Sequence, residues 1–209
     1  MTNKYVNRSK ISEAKFREIV RLFAMDLTAI QIAKLAGLNR NTVNRYLKGI
    51  RQRIAEFCTV TEPLVLSDRE TENGVAAKQK LVGLREKDKR VYTDMLTLPE
   101  LQEIPTHQHR NSNKSYRPEL AIDSFEMVIN PENKHRVYLC DQEHHQNNAV
   151  KYRCMEGFWG FAQSRLEKFK GLHQSTYRLH LKECEFRYNN EKDQLYPITL
   201  KIIRNKPLF

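Results

Sequence analysis

The chain has 209 residues, of which 40% are apolar and 29% charged, and a formal net charge of +11. That is a globular composition with room for one ordinary domain plus a small one. No apolar run approaches a membrane span and the opening MTNKYVNRSK lacks the apolar core of a secretion signal, so a cytoplasmic protein with no membrane partner is expected.

The charge is unevenly placed. Residues 1–58 carry 12 Lys and Arg against 4 Asp and Glu, and the remaining residues carry 24 against 21. A polyanion partner suits the first part, because basic side chains that neutralise phosphates release condensed counterions. Cys58, Cys140, Cys154 and Cys184 are scattered without a CxxC pair, which speaks against a zinc ribbon or a disulfide framework and predicts reduced thiols.

In chain order, residues 1–10 read as a polar arm. Ser12 followed by Glu13 opens a helix to about Met25, with Phe16, Ile19, Val20 and Phe23 on one stripe. Thr28 can cap a second helix, Ala29 to Ala36, and Asn39 a third, about Arg40 to Phe57. Between them Gly37 suits a left-handed turn, and Ala33 leaves room for the third helix. Ile32, Ala36, Leu38 and Val43 have the spacing of a packed helix pair, while Arg40, Asn41, Asn44 and Arg45 point elsewhere. This is the pattern of a helix-turn-helix whose second helix enters the major groove; an ordinary helical hairpin is the plainer alternative. The candidate DNA-binding residues are Arg40, Asn41, Thr42, Asn44, Arg45, Lys48 and Arg51, the last two placed to track backbone phosphates.

Beyond Cys58, Leu64-Val65-Leu66 reads as a strand running into Asp68. Lys80 to Leu84 and Arg90 to Leu96 read as a hairpin around the charged turn Arg85 to Lys89. Thr97 to Ser115 is polar and Pro-containing and reads as a loop. Ala121 to Val128 is expected as a helix, Pro131-Glu132-Asn133 as a turn and His135 to Cys140 as a strand. The C-terminal part reads as helical, with one stripe of Phe158, Ala162, Leu166 and Phe169, a stop at Gly171, and a second stripe of Tyr177, Leu181, Cys184 and Tyr188. Lys168, Lys170, Arg178, Lys182 and Arg187 alternate with Glu167, Glu183 and Glu185 and are expected on a solvated mixed face. Cys140, Asp141, His144 and His145 cluster without a second ligand pair at zinc spacing, and His107 and His109 read as surface residues.

The N-terminal helix-turn-helix, the run MEGFWGFAQSRLEKFKG and the run YRLHLKECEFRYNNEKDQLY together resemble the small bacterial insertion-sequence transposases of the DDE class, the ISXO-like type. The resemblance covers about residues 10–58 and 135–209. It implies a helix-turn-helix DNA-binding domain over residues 1–58. For residues 59–209 it implies a ribonuclease-H-like domain, a mixed sheet with flanking helices, whose middle is shortened. The fold class is then α/β overall. The family's chemistry uses carboxylates to hold two Mg²⁺ (or Mn²⁺) ions for DNA cleavage and strand transfer at terminal inverted repeats, by a protein that is at least a dimer on paired double-stranded ends. By position Asp68 matches the first catalytic and metal-binding aspartate, and Glu156 the acidic residue at the start of the C-terminal helix. Arg153 stands where the family often has asparagine. Where the family has its second aspartate this chain reads Asn113-Lys114-Ser115-Tyr116-Arg117, without an acid, and Asp123 falls on a later, non-catalytic position. Two functions stay open: a transposase that cleaves and joins DNA, and an inactive remnant that acts as a DNA-binding protein or repressor.

Overall fold

The computed structural model describes residues 3–61, 80–97, 125–131, 136–138, 149–169, 172 and 174–209; within them the chain is a mixed α/β protein with six helices and four strands. It divides into two compact units: Met1–Pro63 together with Phe158–Phe209, and Leu64–Gly157.

The first unit begins with α1 (Glu13–Ala24), α2 (Ala29–Ala36) and α3 (Arg40–Thr61). Their starts follow from local chemistry. Ser12 accepts from the Lys15 N–H, and Thr28 and Gln31 form a capping box that satisfies donors at both ends of the first turn of α2. Gly37 ends α2 in the left-handed region (φ 62°, ψ 38°), and its N–H returns to the Ala33 carbonyl. The Asn39 side chain then accepts from the Asn41 N–H and opens α3.

Helices α4 (Ala149–Glu167), α5 (Gln174–Tyr188) and α6 (Leu195–Asn205) complete the helical set, and the part of α4 from Phe158 onward belongs to the first unit. Helix α3 packs on α5 and α6, and α1 packs on α6. One apolar core therefore runs from Phe16, Ile19, Ile32, Val43, Ile50 and Ile54 of the N-terminal helices to Phe186, Leu195, Leu200, Ile203 and Leu208.

Two sequence expectations for this unit are corrected. Residues 1–10 are not wholly a polar arm, since Tyr5 and Val6 are buried and Val6 pairs as a β-bridge with Leu208. The charged residues of α5 lie only in part on a solvated face, Arg178 being exposed as expected. Lys182, Glu183, Glu185 and Arg187 are all buried, because α5 is enclosed from His180 to Arg187. The C-terminal part is helical as expected and ends in α6, which buries Leu195, Thr199, Leu200 and Ile203. Pro197 is tolerated there because it sits in the first turn, where its missing N–H is one that the helix leaves free.

The second unit holds β1 (Lys80–Lys87), β2 (Arg90–Thr97), β3 (Met127–Ile129) and β4 (Arg136–Tyr138) in the order β2-β1-β3-β4 with every pairing antiparallel. The expected hairpin is present with a tighter turn. Lys87 pairs with Arg90, leaving only Asp88 and Lys89, both at positive φ (53° and 63°), as a two-residue turn whose twist suits the strands. Met127 and Val128 are strand, not the expected helix: Phe125, Met127, Val128 and Ile129 are buried beside β1. Gly83 is in β1 because a Cβ there would come within 2.7 Å of the Phe125 ring at three atoms. Leu64 to Leu66, Lys114, Asp123, Cys140, Asp141, His144, His145, His107 and His109 lie outside the described residues. So does the loop expected after Thr97, up to Ser115.

Candidate nucleic-acid interface

Helix α3 has two faces with different partners. Its apolar side, with Val43, Leu47, Ile50 and Ile54, closes on the core. On the other side Arg40, Asn41, Asn44 and Lys48 are exposed and, at about 100° per residue, fall within roughly a third of the helix circumference. Arg45 is exposed too, turned about 100° further round from Asn44, with its guanidinium 4.3 Å from the centre of the Phe209 ring. Thr42 is half-buried on that same flank. Among the described residues no acidic side chain pairs with Arg40, Arg45 or Lys48. This is an uncompensated positive, hydrogen-bonding surface on the first two turns of a helix that its Gly37 turn fixes in place.

Arg51 does not join that surface. It stands seven residues after Asn44 and so returns to the same side of α3, but α5 covers the helix there. The Arg51 side chain is 12% exposed and its Nε donates to Glu183 Oε2 at 2.6 Å. It therefore cannot track phosphates as the sequence suggested.

Glu183 is the hub of an ion cluster that sequence reasoning missed. Its Oε1 also accepts from Arg165 Nη2 of α4 and from Arg187 Nε of α5, each at 2.8 Å. Arg187 continues to the end of α1, where Nη2 and Nη1 donate to the carbonyls of Phe23 (2.6 Å) and Ala24 (3.2 Å), and its guanidinium lies 4.6 Å from the Phe23 ring centre. Arg165 reaches Asp26 just beyond α1. Burial by itself pushes the Glu183 carboxyl up, but the charges of Arg51, Arg187 and Arg165 outweigh it and hold it down at about 2. His180, stacked 4.6 Å from Phe169, is driven down to about 4 by burial first and then by the charge of Arg51. Burial likewise pushes the Cys184 thiol up to about 12 and raises Cys58, so both are inert thiols. The run Lys182 to Asn189, which carries much of the family resemblance, thus ties α1, α3, α4 and α5 together. Its signal in sequence was the density of paired opposite charges beside apolar stripe positions, read there as a solvated face.

Of the two sequence-assigned carboxylates, Glu156 is exposed on α4, within the second unit, and Asp68 lies outside the described residues. Among the described residues no three His, Cys, Asp or Glu side chains gather as a metal-holding group, and no helix is long and apolar enough to cross a membrane.

Over 35 residues the chain resembles a transposase-like protein. That protein, an uncharacterized transposase-like protein of Haemophilus influenzae, is 46% identical over a stretch that makes up 17% of this chain and 28% of its own length. This chain therefore spans little more than a quarter of that relative. No family model matches the chain, and no solved structure matches it.

Proposed function

We propose that α2, its glycine turn and α3 form a helix-turn-helix that reads double-stranded DNA, in a protein of the transposase type that binds the terminal inverted repeats of its element as a homo-oligomer. The observation that carries this reading is the exposed set Arg40, Asn41, Asn44 and Lys48 on the leading turns of α3, unpaired by acids among the described residues and presented by a capped, left-handed turn. Thr42 and Arg45 flank it. Arginine and asparagine there suit bidentate contacts to guanine and adenine edges, each contributing about 1–3 kcal/mol of discrimination. The test is binding to duplexes selected by the protein from a randomised pool and to scrambled controls. Arg40→Ala and Asn44→Ala are expected to erode the preference; equal losses on both duplexes would count against groove reading.

The finer reading, that residues 59–209 form a ribonuclease-H-like DDE domain in which Asp68 and Glu156 bind Mg²⁺ or Mn²⁺ for DNA cleavage and strand transfer, rests on the family resemblance of the sequence; the similarity to the Haemophilus protein supports a transposase-like character only. A second reading, an inactive remnant acting as a DNA-binding protein or repressor, is favoured by one observation: the stretch Asn113 to Arg117 has no carboxylate where a second aspartate belongs. Incubating labelled element ends with Mg²⁺ or Mn²⁺ separates the two. Nicking abolished by Asp68→Asn or Glu156→Gln supports the enzyme; no nicking by the wild type, with nicking gained by Lys114→Asp, supports the remnant.

A further inference from the structure

The cations of the first unit sort into two groups. Arg17, Arg51, Arg53, Arg165 and Arg187 each have a hydrogen-bonded partner inside the protein. Others, Arg8 and Lys10 among them, have no such partner among the described residues; both are exposed, and no acid pairs with either there. They are held, however, on a backbone that is not free to swing. Asn7 N–H donates to the Leu208 carbonyl at 2.9 Å, Leu208 N–H donates to the Tyr5 carbonyl at 2.9 Å, and the Asn7 side-chain amide donates to the Phe209 carbonyl at 2.8 Å. Beyond Arg8, the Ser9 hydroxyl donates to the Ile11 carbonyl and accepts from the Ile11 N–H. The segment Arg8 to Lys10 and the flank of α3 with Thr42 and Arg45 line one cleft, and Phe209, whose ring lies under the Arg45 guanidinium, lines it too. Gly49 makes the arrangement feasible, since a Cβ on that flank would lie 3.3 Å from Leu208.

We propose that Arg8, Lys10 and Arg45 form a rigid phosphate-gripping rim beside the base-reading face of α3, contacting the backbone of duplex DNA without reading its sequence. This rests on the helix-turn-helix reading above. It separates Arg45 from Arg40, Asn41 and Asn44: with its guanidinium stacked on Phe209 and turned to the cleft, Arg45 serves the strand backbone. A phosphate suits the site because the rim offers three positive charges, and among the described residues no acid pairs with any of them.

The test measures, on the full chain, how affinity falls with salt for a duplex selected from a randomised pool and for its scrambled counterpart. The pair Arg8→Gly with Lys10→Gln is the main variant; glycine accepts the positive φ of Arg8 (48°), so folding is not compromised. The expected result is a salt slope shallower by about one to two and a loss of roughly tenfold or more near 0.1 M salt, the same on both duplexes. Arg45→Gln should act alike, whereas Asn44→Ala should lose preference for the selected duplex with the slope kept. An unchanged slope in the arm variant, while Asn44→Ala still loses preference, overturns the rim and leaves the helix-turn-helix standing. Loss of preference in the arm variant, with the slope kept, overturns it as well, and a wild type that binds neither duplex removes both readings.

Discussion

Removing the Glu183 carboxylate while three guanidinium groups remain around it leaves buried charge uncompensated, a change that typically costs about 3–5 kcal/mol. Glu183→Gln is therefore expected to lower the midpoint of denaturant unfolding sharply, and Arg51→Ala to act in the same way and not as a simple DNA-contact variant. Arg187→Lys should also be harmful, since a single ammonium cannot reach Glu183 and two α1 carbonyls at once. The same cluster sets the acid limit of the fold. His180, held near 4 when folded, stays neutral while its unfolded counterpart takes up a proton below about 6.5, so stability falls as pH drops from about 6.5 toward 4. Glu183 is held near 2, so its contribution is full above the unfolded value of about 4.5 and is lost as pH falls from there toward 2. Unfolding followed against pH should show both legs, and His180→Phe should flatten the upper one alone. An upper leg unchanged in that variant would dissociate it from this histidine.

At the scale of elements, two turns depend on backbone held in the left-handed region. Gly37→Ala finds open space for its methyl group but must hold φ at 62°, which costs about 1–2 kcal/mol for an L-residue; a melting point equal to wild type would contradict this. Lys89→Gly relieves the same strain in the β1–β2 turn and should raise stability by up to about 1 kcal/mol. The elements legible in the sequence were those whose signals are local: the caps Ser12, Thr28 and Asn39, the glycine turn, the hairpin and the apolar stripe of α1. Those that were not legible depend on distant partners. Enclosed from His180 to Arg187, α5 has no one-sided pattern to read there, and the charges of that stretch pass for surface until Arg51, Arg165 and the end of α1 are seen to meet them. The strand β3 is three residues long and acquires its identity only from pairing with Val82 to Leu84. Of the candidate interface, Arg40, Asn41, Asn44 and Lys48 could be read from helical phase alone. Arg51 has nearly the same phase and could be excluded only by knowing what covers the next heptad.

For the whole molecule, the first unit is assembled from the two ends of the chain. A fragment of residues 1–63 would expose the α3 surface that α5 and α6 cover, together with the bonding groups of Arg51 and the end of α1. It is expected to be poorly folded by circular dichroism and amide dispersion. Joining residues 158–209 to it through a flexible linker should restore cooperative unfolding, and a fragment 1–63 that is fully folded on its own would refute the argument. Synthesis adds a temporal side to this geometry. Helices α1 to α3 are made well before Arg165, Glu183, Arg187 and Leu208, on which their packing depends. At roughly 5–20 residues per second that interval is on the order of ten seconds or more. During it Arg51 and the end of α1 lack the side chains that hold them, so the proposed reading of DNA has to wait until residues 158–209 have been made.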